Sequence, residues 1–147
     1  MPVKVTSTGR LPARLWDAQA SREAAEVLVE SMEDRAFVRG LDYRDRPLKP
    51  YTPVTRRALA ESGQSARVDL QQTGALRASF ARAIVRVTDQ GAVIELPSDQ
   101  MAKAEALQET RPFWGVAPSD TEALNRAVPG IFARAVERAA KSSEAKP

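Results

Sequence analysis

Val3 and Val5 alternate with Lys4 and Thr6 at the start of the chain, a period of two that predicts a short edge strand or arm over Met1–Thr8. Gly9 to Leu15 contains Pro12 and reads as a connection. From Asp17 the period changes. Ala18, Ala25, Leu28, Met32 and Ala36 fall close to one face of a helix, with Arg22, Glu26, Glu30 and Glu33 mostly elsewhere. A long amphipathic helix is therefore expected from Asp17 to about Arg39. The Asp17 carboxylate can accept from the free N–H groups of the first turn, and Gly40 supplies the stop.

Leu41 to Tyr51 is polar and carries Pro47 and Pro50, each of which biases the residue before it toward extended geometry, so this stretch is expected to be an ordered loop. Thr52-Pro53 then offers a cap followed by proline at the first helical position, where its missing N–H costs nothing. A short helix should follow to about Glu61 and end at Gly63, with Ser62–Ala66 a mobile loop tip. Thr73 can cap one helical turn over Ala75–Ser79. From Phe80 to Thr88 the period is two, with Ala81, Ala83, Val85 and Val87 on one face and Phe80, Arg82, Ile84 and Arg86 on the other. Asp89-Gln90-Gly91 is a turn, and Ala92–Leu96 a second strand. Ser98 can cap a helix from Asp99 to about Gln108. Ser119 and Glu122 have the spacing of a capping box for a last helix that runs toward Lys141, which Pro129-Gly130 should kink or split. The expected fold is α+β: a small antiparallel sheet, made of a hairpin over about 79–96 and the N-terminal strand, flanked by a long N-terminal helix and a C-terminal helix. One domain over 1–141 and a frayed tail over 142–147 complete the expectation.

Composition narrows the chemistry. The chain has 147 residues and neither cysteine nor histidine. A disulfide framework, a thiolate nucleophile, a serine–histidine triad and zinc or haem ligation by cysteine or histidine are all excluded. The seven glycines are scattered and build no phosphate-cradling loop. Asp42 and Asp45 could form a carboxylate pair, but arginines flank them, and a solvated acid or an arginine partner fits better. Ser62, Ser65 and Ser79 have no histidine to activate them, and no lysine stands in a recognisable serine–lysine motif. Neither catalysis, a metal nor a cofactor is expected. No apolar run approaches the roughly 18–20 residues needed to span a bilayer, and Met1–Val5 lacks the apolar stretch of a secretory signal, so no membrane contact is expected.

The charge is unevenly spread. Residues 1–34 carry a net −2, residues 35–86 a net +7 and residues 87–147 a net −2. The basic excess includes Arg35, Arg39, Arg44, Arg46, Lys49, Arg56 and Arg57. Two readings follow: arginines solvated on exposed faces, or a positive field that attracts nucleic acid or an acidic protein surface. The aromatics Phe37, Tyr43, Tyr51 and Phe80 lack the spacing of a base-stacking platform. A small basic nucleic-acid-binding module of a mobile element is accordingly the alternative to the reading that follows.

Three stretches stand out: Gly40-Leu41-Asp42 with Pro47-Leu48-Lys49-Pro50-Tyr51-Thr52; Asp69-Leu70 with Thr73-Gly74-Ala75-Leu76-Arg77-Ala78-Ser79; and Arg111-Pro112-Phe113-Trp114-Gly115. In this order and spacing the chain resembles the tailed-bacteriophage virion morphogenesis proteins, the neck or tail-completion family, over roughly residues 18–140. It departs from them at Leu48, where the family carries an aromatic, at Met101-Ala102 in place of Tyr-Ala, and at Leu107-Gln108-Glu109 in place of His-Gln-Gly.

The resemblance implies a small α+β structural subunit of the virion neck, made and assembled in the host cytoplasm, that completes the tail or joins it to the head. Such a subunit binds copies of itself in a ring, expected to be hexameric, together with other neck, connector and tail-end proteins. DNA would pass only in transit. The candidate family-motif or interface residues are Asp42, Pro47, Lys49, Pro50, Tyr51, Asp69, Thr73, Gly74, Leu76, Arg77, Arg111, Pro112, Phe113 and Trp114. A ring needs unlike surfaces that meet, and the basic middle third and acidic flanks could supply them. That segment is thus expected to face protein and not the channel. Phe113 and Trp114 are either interface anchors presented by a loop or core residues that cover the hairpin. Tyr51 is expected to pack the proline loop onto the long helix.

Overall fold

The computed structural model describes residues 2–6, 15–50, 52–63, 75–88 and 91–144. Helix α1 (Ala18–Glu33) lies at its centre. The Asp17 carboxylate caps it, accepting from the Ala20 N–H at 2.8 Å. Its last turn widens into a π-helical turn, Asp34–Val38, and Gly40 ends it at a φ of 66°. Ala25, Leu28, Met32 and Ala36 are buried as the periodicity requires, whereas Ala18 is exposed.

The sheet has three antiparallel strands, β1 (Val3–Thr6), β2 (Ile84–Thr88) and β3 (Gly91–Glu95), in the order β1-β3-β2. Val3 pairs with Ile94, and Val85 pairs with Ile94 from the other side. β3 is thus the central strand and the most buried. Val3, Ala92 and Ile94 join the α1 stripe in one core with Leu48, Leu76, Phe80, Leu96, Ala104, Phe113 and Trp114.

Helix α3 (Ala75–Ala81) corrects the expected start of the hairpin. Phe80 and Ala81 are helical because Leu76, Ser79 and Phe80, spaced i, i+3 and i+4, are all buried on one side of that helix. That burial outweighs the alternation, and β2 begins four residues later. Within β2 the alternation holds: Val85 and Val87 are half-buried, Ile84 and Arg86 exposed. The Asp89-Gln90 turn lies outside the described residues.

Helix α2 (Pro53–Glu61) starts as expected, with the Thr52 hydroxyl accepting from the Thr55 N–H. Ser98 does not cap α4 (Met101–Thr110); it lies inside a 3₁₀ turn, Ser98–Gln100, that precedes it. Helix α5 is unbroken from Pro118 to Glu144, with Pro129 inside it, so the proline does not split it and residues 142–144 are helical. Among the described residues no helix is long and apolar enough to cross a membrane.

Helices α1 and α5 pack against each other where Ala20 and Ala24 meet Ile131 and Ala135. At one end of this pair Arg138 donates to both Asp17 oxygens, at 2.8 and 2.7 Å. The Arg138 hydrogen bonds outweigh partial burial and hold Asp17 below its ordinary value of 3.8. A depressed carboxylate contributes stability that is complete above its unfolded value and lost as pH falls through the folded one. Arg138→Leu should therefore weaken the fold at neutral pH, with the difference from the parent shrinking below pH 3.8. Urea unfolding across a pH series measures this, and a difference that stays constant with pH would exclude the ion pair as its source.

Candidate functional site

Two of the three standout stretches meet around one buried arginine. Arg35 occupies the π-helical turn, where Arg35, Ala36 and Phe37 are buried in succession. Consecutive helical residues point about 100° apart, so burying three in a row requires cover on several sides. The 41–50 loop, residues 111–117 and the start of α5 provide it. The Arg35 guanidinium donates to four acceptors: Asp120 Oδ2 at 2.9 Å, the Leu41 carbonyl at 3.1 Å, the Phe113 carbonyl at 3.1 Å and the Gly115 carbonyl at 2.7 Å. Both side chains of the Arg35–Asp120 pair are fully buried. Asp120 in turn accepts from the Ser31 hydroxyl at 2.6 Å and the Ala117 N–H at 2.9 Å. No charged atom of the pair lacks a partner, as burial demands.

The loops are also tied directly to each other. The Tyr43 N–H donates to the Pro112 carbonyl at 3.0 Å. Arg111 donates to the Lys49 and Pro50 carbonyls at 2.9 and 3.2 Å. Gly115 has a φ of 146°, and a Cβ there would lie 3.0 Å from the Tyr43 Cβ, so the two loops approach too closely for a side chain at this point. The Gln108 amide brackets the Trp114 backbone, accepting from its N–H and donating to its carbonyl, both at 3.0 Å.

Among the described residues neither Asp42 nor Asp45 is joined to an arginine in an ion pair. The Asp42 carboxylate accepts from the Arg44 and Arg46 N–H groups at 2.8 and 2.9 Å and shapes the turn. Asp45, at a φ of 61°, accepts from the Ser119 N–H at 2.8 Å and from the Ser119 hydroxyl. It caps α5 from a distant loop. The expected Ser119–Glu122 capping box is thus replaced: Ala117 precedes the helix, Pro118 opens it, Asp120 reaches back to the Ala117 N–H, and Asp45 takes the Ser119 N–H. Burial works to raise Asp45, but the two Ser119 bonds and the Arg35 and Arg39 charges prevail and hold it low.

Asp45→Ala should cost about 2 kcal/mol, from the lost cap and from alanine in the left-handed region. Asp45→Gly should cost about 1 kcal/mol, because glycine keeps that backbone freely. Chemical denaturation of both variants tests this, and equal losses would remove the backbone contribution.

Phe113 and Trp114 belong to the core, with 1% and 5% exposure, and are not presented to a partner by this chain. Phe80 meets Phe37 edge-on at 5.1 Å and Trp114 edge-on at 5.4 Å. From the middle stretch, Leu76 is buried and Arg77 pairs with Glu33 at 3.0 Å. Pro47 forms an isolated bridge with Leu41 and is exposed, as are Lys49 and Pro50, while Pro112 is half-buried. Tyr51, Asp69, Thr73 and Gly74 lie outside the described residues. Arg35 departs from the expected basic surface by being fully buried, whereas Arg39, Arg44, Arg46, Lys49, Arg56 and Arg57 are exposed.

Asp120, Gln108 and Ser31 did not emerge from sequence reasoning. In the sequence Gln108 stands out only as the expected end of the helix from Asp99 and as part of the Leu107-Gln108-Glu109 departure from the family pattern. Asp120 was legible as an acid in the first turn of a helix, but nothing local announces its partner 85 residues away.

An open cleft of about 540 Å³ lies beside this knot, between α1 and the first turns of α5. Val27 and Ala123 line it with Glu30, Asp34, Glu122 and Arg126. Among the described residues no cluster of acidic side chains could hold a metal ion. The arrangement ties backbone to backbone: the 40–50 loop, residues 111–115 and α1 are held together by Arg35 and Arg111. No family model, curated protein or solved structure matches the chain.

Proposed function

We propose that this chain is a structural protein of the bacteriophage neck, which completes the tail or joins it to the head as one subunit of a ring. The observation that carries the reading is the union of the 40–50 loop with residues 111–115. Arg111 reaches carbonyls 61 and 62 residues away, and Arg35 ties both segments to α1. Chance matches scattered along a chain have no reason to build one hydrogen-bonded knot. The knot also holds a polar loop rigid at the surface, with Arg44, Arg46 and Lys49 exposed on it. A rigid charged loop suits recognition of a neighbouring protein, where charge fixes register and speeds encounter.

Electron microscopy of particles from the parent phage or prophage with this reading frame deleted tests the proposal. Full heads beside detached or over-long tails are expected. Normal infectious virions would reject the neck assignment. The exposure of Arg44, Arg46, Lys49, Arg56 and Arg57 favours one second reading, a nucleic-acid-binding module. That reading requires affinity for random DNA that falls steeply as salt rises.

A further inference from the structure

We infer that α2 of one copy docks in the cleft between α1 and α5 of the next copy, a head-to-tail contact between unlike surfaces. This deepens the ring reading above and rests on it for the expectation that copies associate.

Among the described residues α2 makes no substantial contact with another element. Its described side chains are exposed except Thr55, which is half-buried, and Val54 is 76% exposed. A nine-residue helix is marginal in water without packing, however well Thr52 and Pro53 start it. Such an element gains most from a partner. Val54, Arg57, Ala58 and Glu61 fall at i, i+3, i+4 and i+7 and share one face, apolar in the middle with one charge of each sign.

The cleft has the complementary arrangement. Val27 and Ala123 give it apolar surface, and Glu30, Glu122 and Arg126 surround them. Among the described residues none of these three charges is joined in an ion pair, whereas Asp34 is paired with Arg39 at 3.1 Å. Val54 and Ala58 would cover Val27 and Ala123, Arg57 would meet Glu30 and Glu122, and Glu61 would meet Arg126. Both surfaces belong to every copy, and they are unlike. That commits the occupant to a second copy in a heterologous contact, the kind that propagates into a ring.

The chain has no cysteine, so engineered pairs report without background. Val54→Cys chains mixed with Ala123→Cys chains should form a disulfide-linked dimer about tenfold faster than Val54→Cys mixed with Ala102→Cys, a position exposed on α4. Arg57→Glu in the first partner should slow the reaction, and Glu30→Lys with Glu122→Lys in the second should restore it. Circular dichroism of each variant verifies that the helices persist. Four outcomes overturn the inference: a rate equal to the Ala102 control, cross-linking of Val54→Cys chains with one another at the same rate, closure within a single chain that carries both cysteines, or no response to charge reversal. The assay uses purified chain and no phage. Its failure leaves the deletion phenotype standing, and a normal virion leaves the cross-link standing.

Discussion

Asp120→Ala is expected to lower the unfolding free energy by about 3–5 kcal/mol, the usual cost of leaving a buried charge without its partner. Arg35 and Asp120 are both fully buried, so no solvent screens the loss. The variant would also strand the Ser31 hydroxyl and the Ala117 N–H. A buried ion pair can often be exchanged for apolar side chains at little cost, but that exchange fails here for a specific reason. Arg35 also satisfies the carbonyls of Leu41, Phe113 and Gly115, which no methionine or leucine can do. The double variant Arg35→Met with Asp120→Leu should therefore be no more stable than Asp120→Ala alone. Urea or guanidinium unfolding of the three proteins decides it. A double variant near parental stability would mean that the loops hold together without the guanidinium. The parent's own margin is expected to be about 5–15 kcal/mol, so a loss of this size brings the weaker end of that range close to unfolding.

Phe80→Ala is the second large effect, expected at about 3–5 kcal/mol from lost burial and the cavity left behind. Phe80 is 2% exposed and touches three other rings: Phe37 and Trp114 edge-on, and Phe113 at 6.4 Å between centroids. It is the ring that joins α3, the π-helical turn and the 111–115 loop, so the cavity would open between three segments. Phe80→Leu should cost clearly less, because it keeps most of the apolar volume. Trp114 packs against the deleted ring and, with Trp16→Phe in the background, reports locally by fluorescence, while the unfolding free energy reports globally. An unfolding free energy within about 1 kcal/mol of the parent would show that the neighbouring rings collapse into the space.

Both predictions fall on residues whose importance comes from where distant segments meet. Local elements needed no such meeting to be read. The Asp17 cap, the α1 stripe from Ala25 to Ala36, the Gly40 stop and the Thr52-Pro53 start of α2 each depend on residues within a turn or two, and the structure has all of them. Where two local patterns competed, the tertiary core chose. Phe80 fits an alternating strand and also a helical i, i+4 pair with Leu76, and burial against Phe37 and Trp114 made it helical. The Ser119–Glu122 spacing predicted a local cap, but Asp45, far away in sequence, took the Ser119 N–H and left the box unbuilt.

The candidate site divides in the same way. Its segments were legible as unusual stretches of proline, aromatic and charge, because local composition is visible without the fold and proline restricts the backbone wherever it stands. Their roles were not. Arg35 carried the same charge as Arg39 and Arg44, and composition could only count it with the basic surface. Pattern and residue type alone determined the α+β class, the starts of α1 and α2 and the exclusion of cysteine and histidine chemistry. Only the tertiary structure decided that Arg35 and Asp120 lie inside, that Phe113 and Trp114 are core, and that the 40–50 and 111–115 segments form one knot. The physical reason is range: caps and periodicity act within a few residues, whereas a buried charge is determined by groups that the fold brings from 85 positions away.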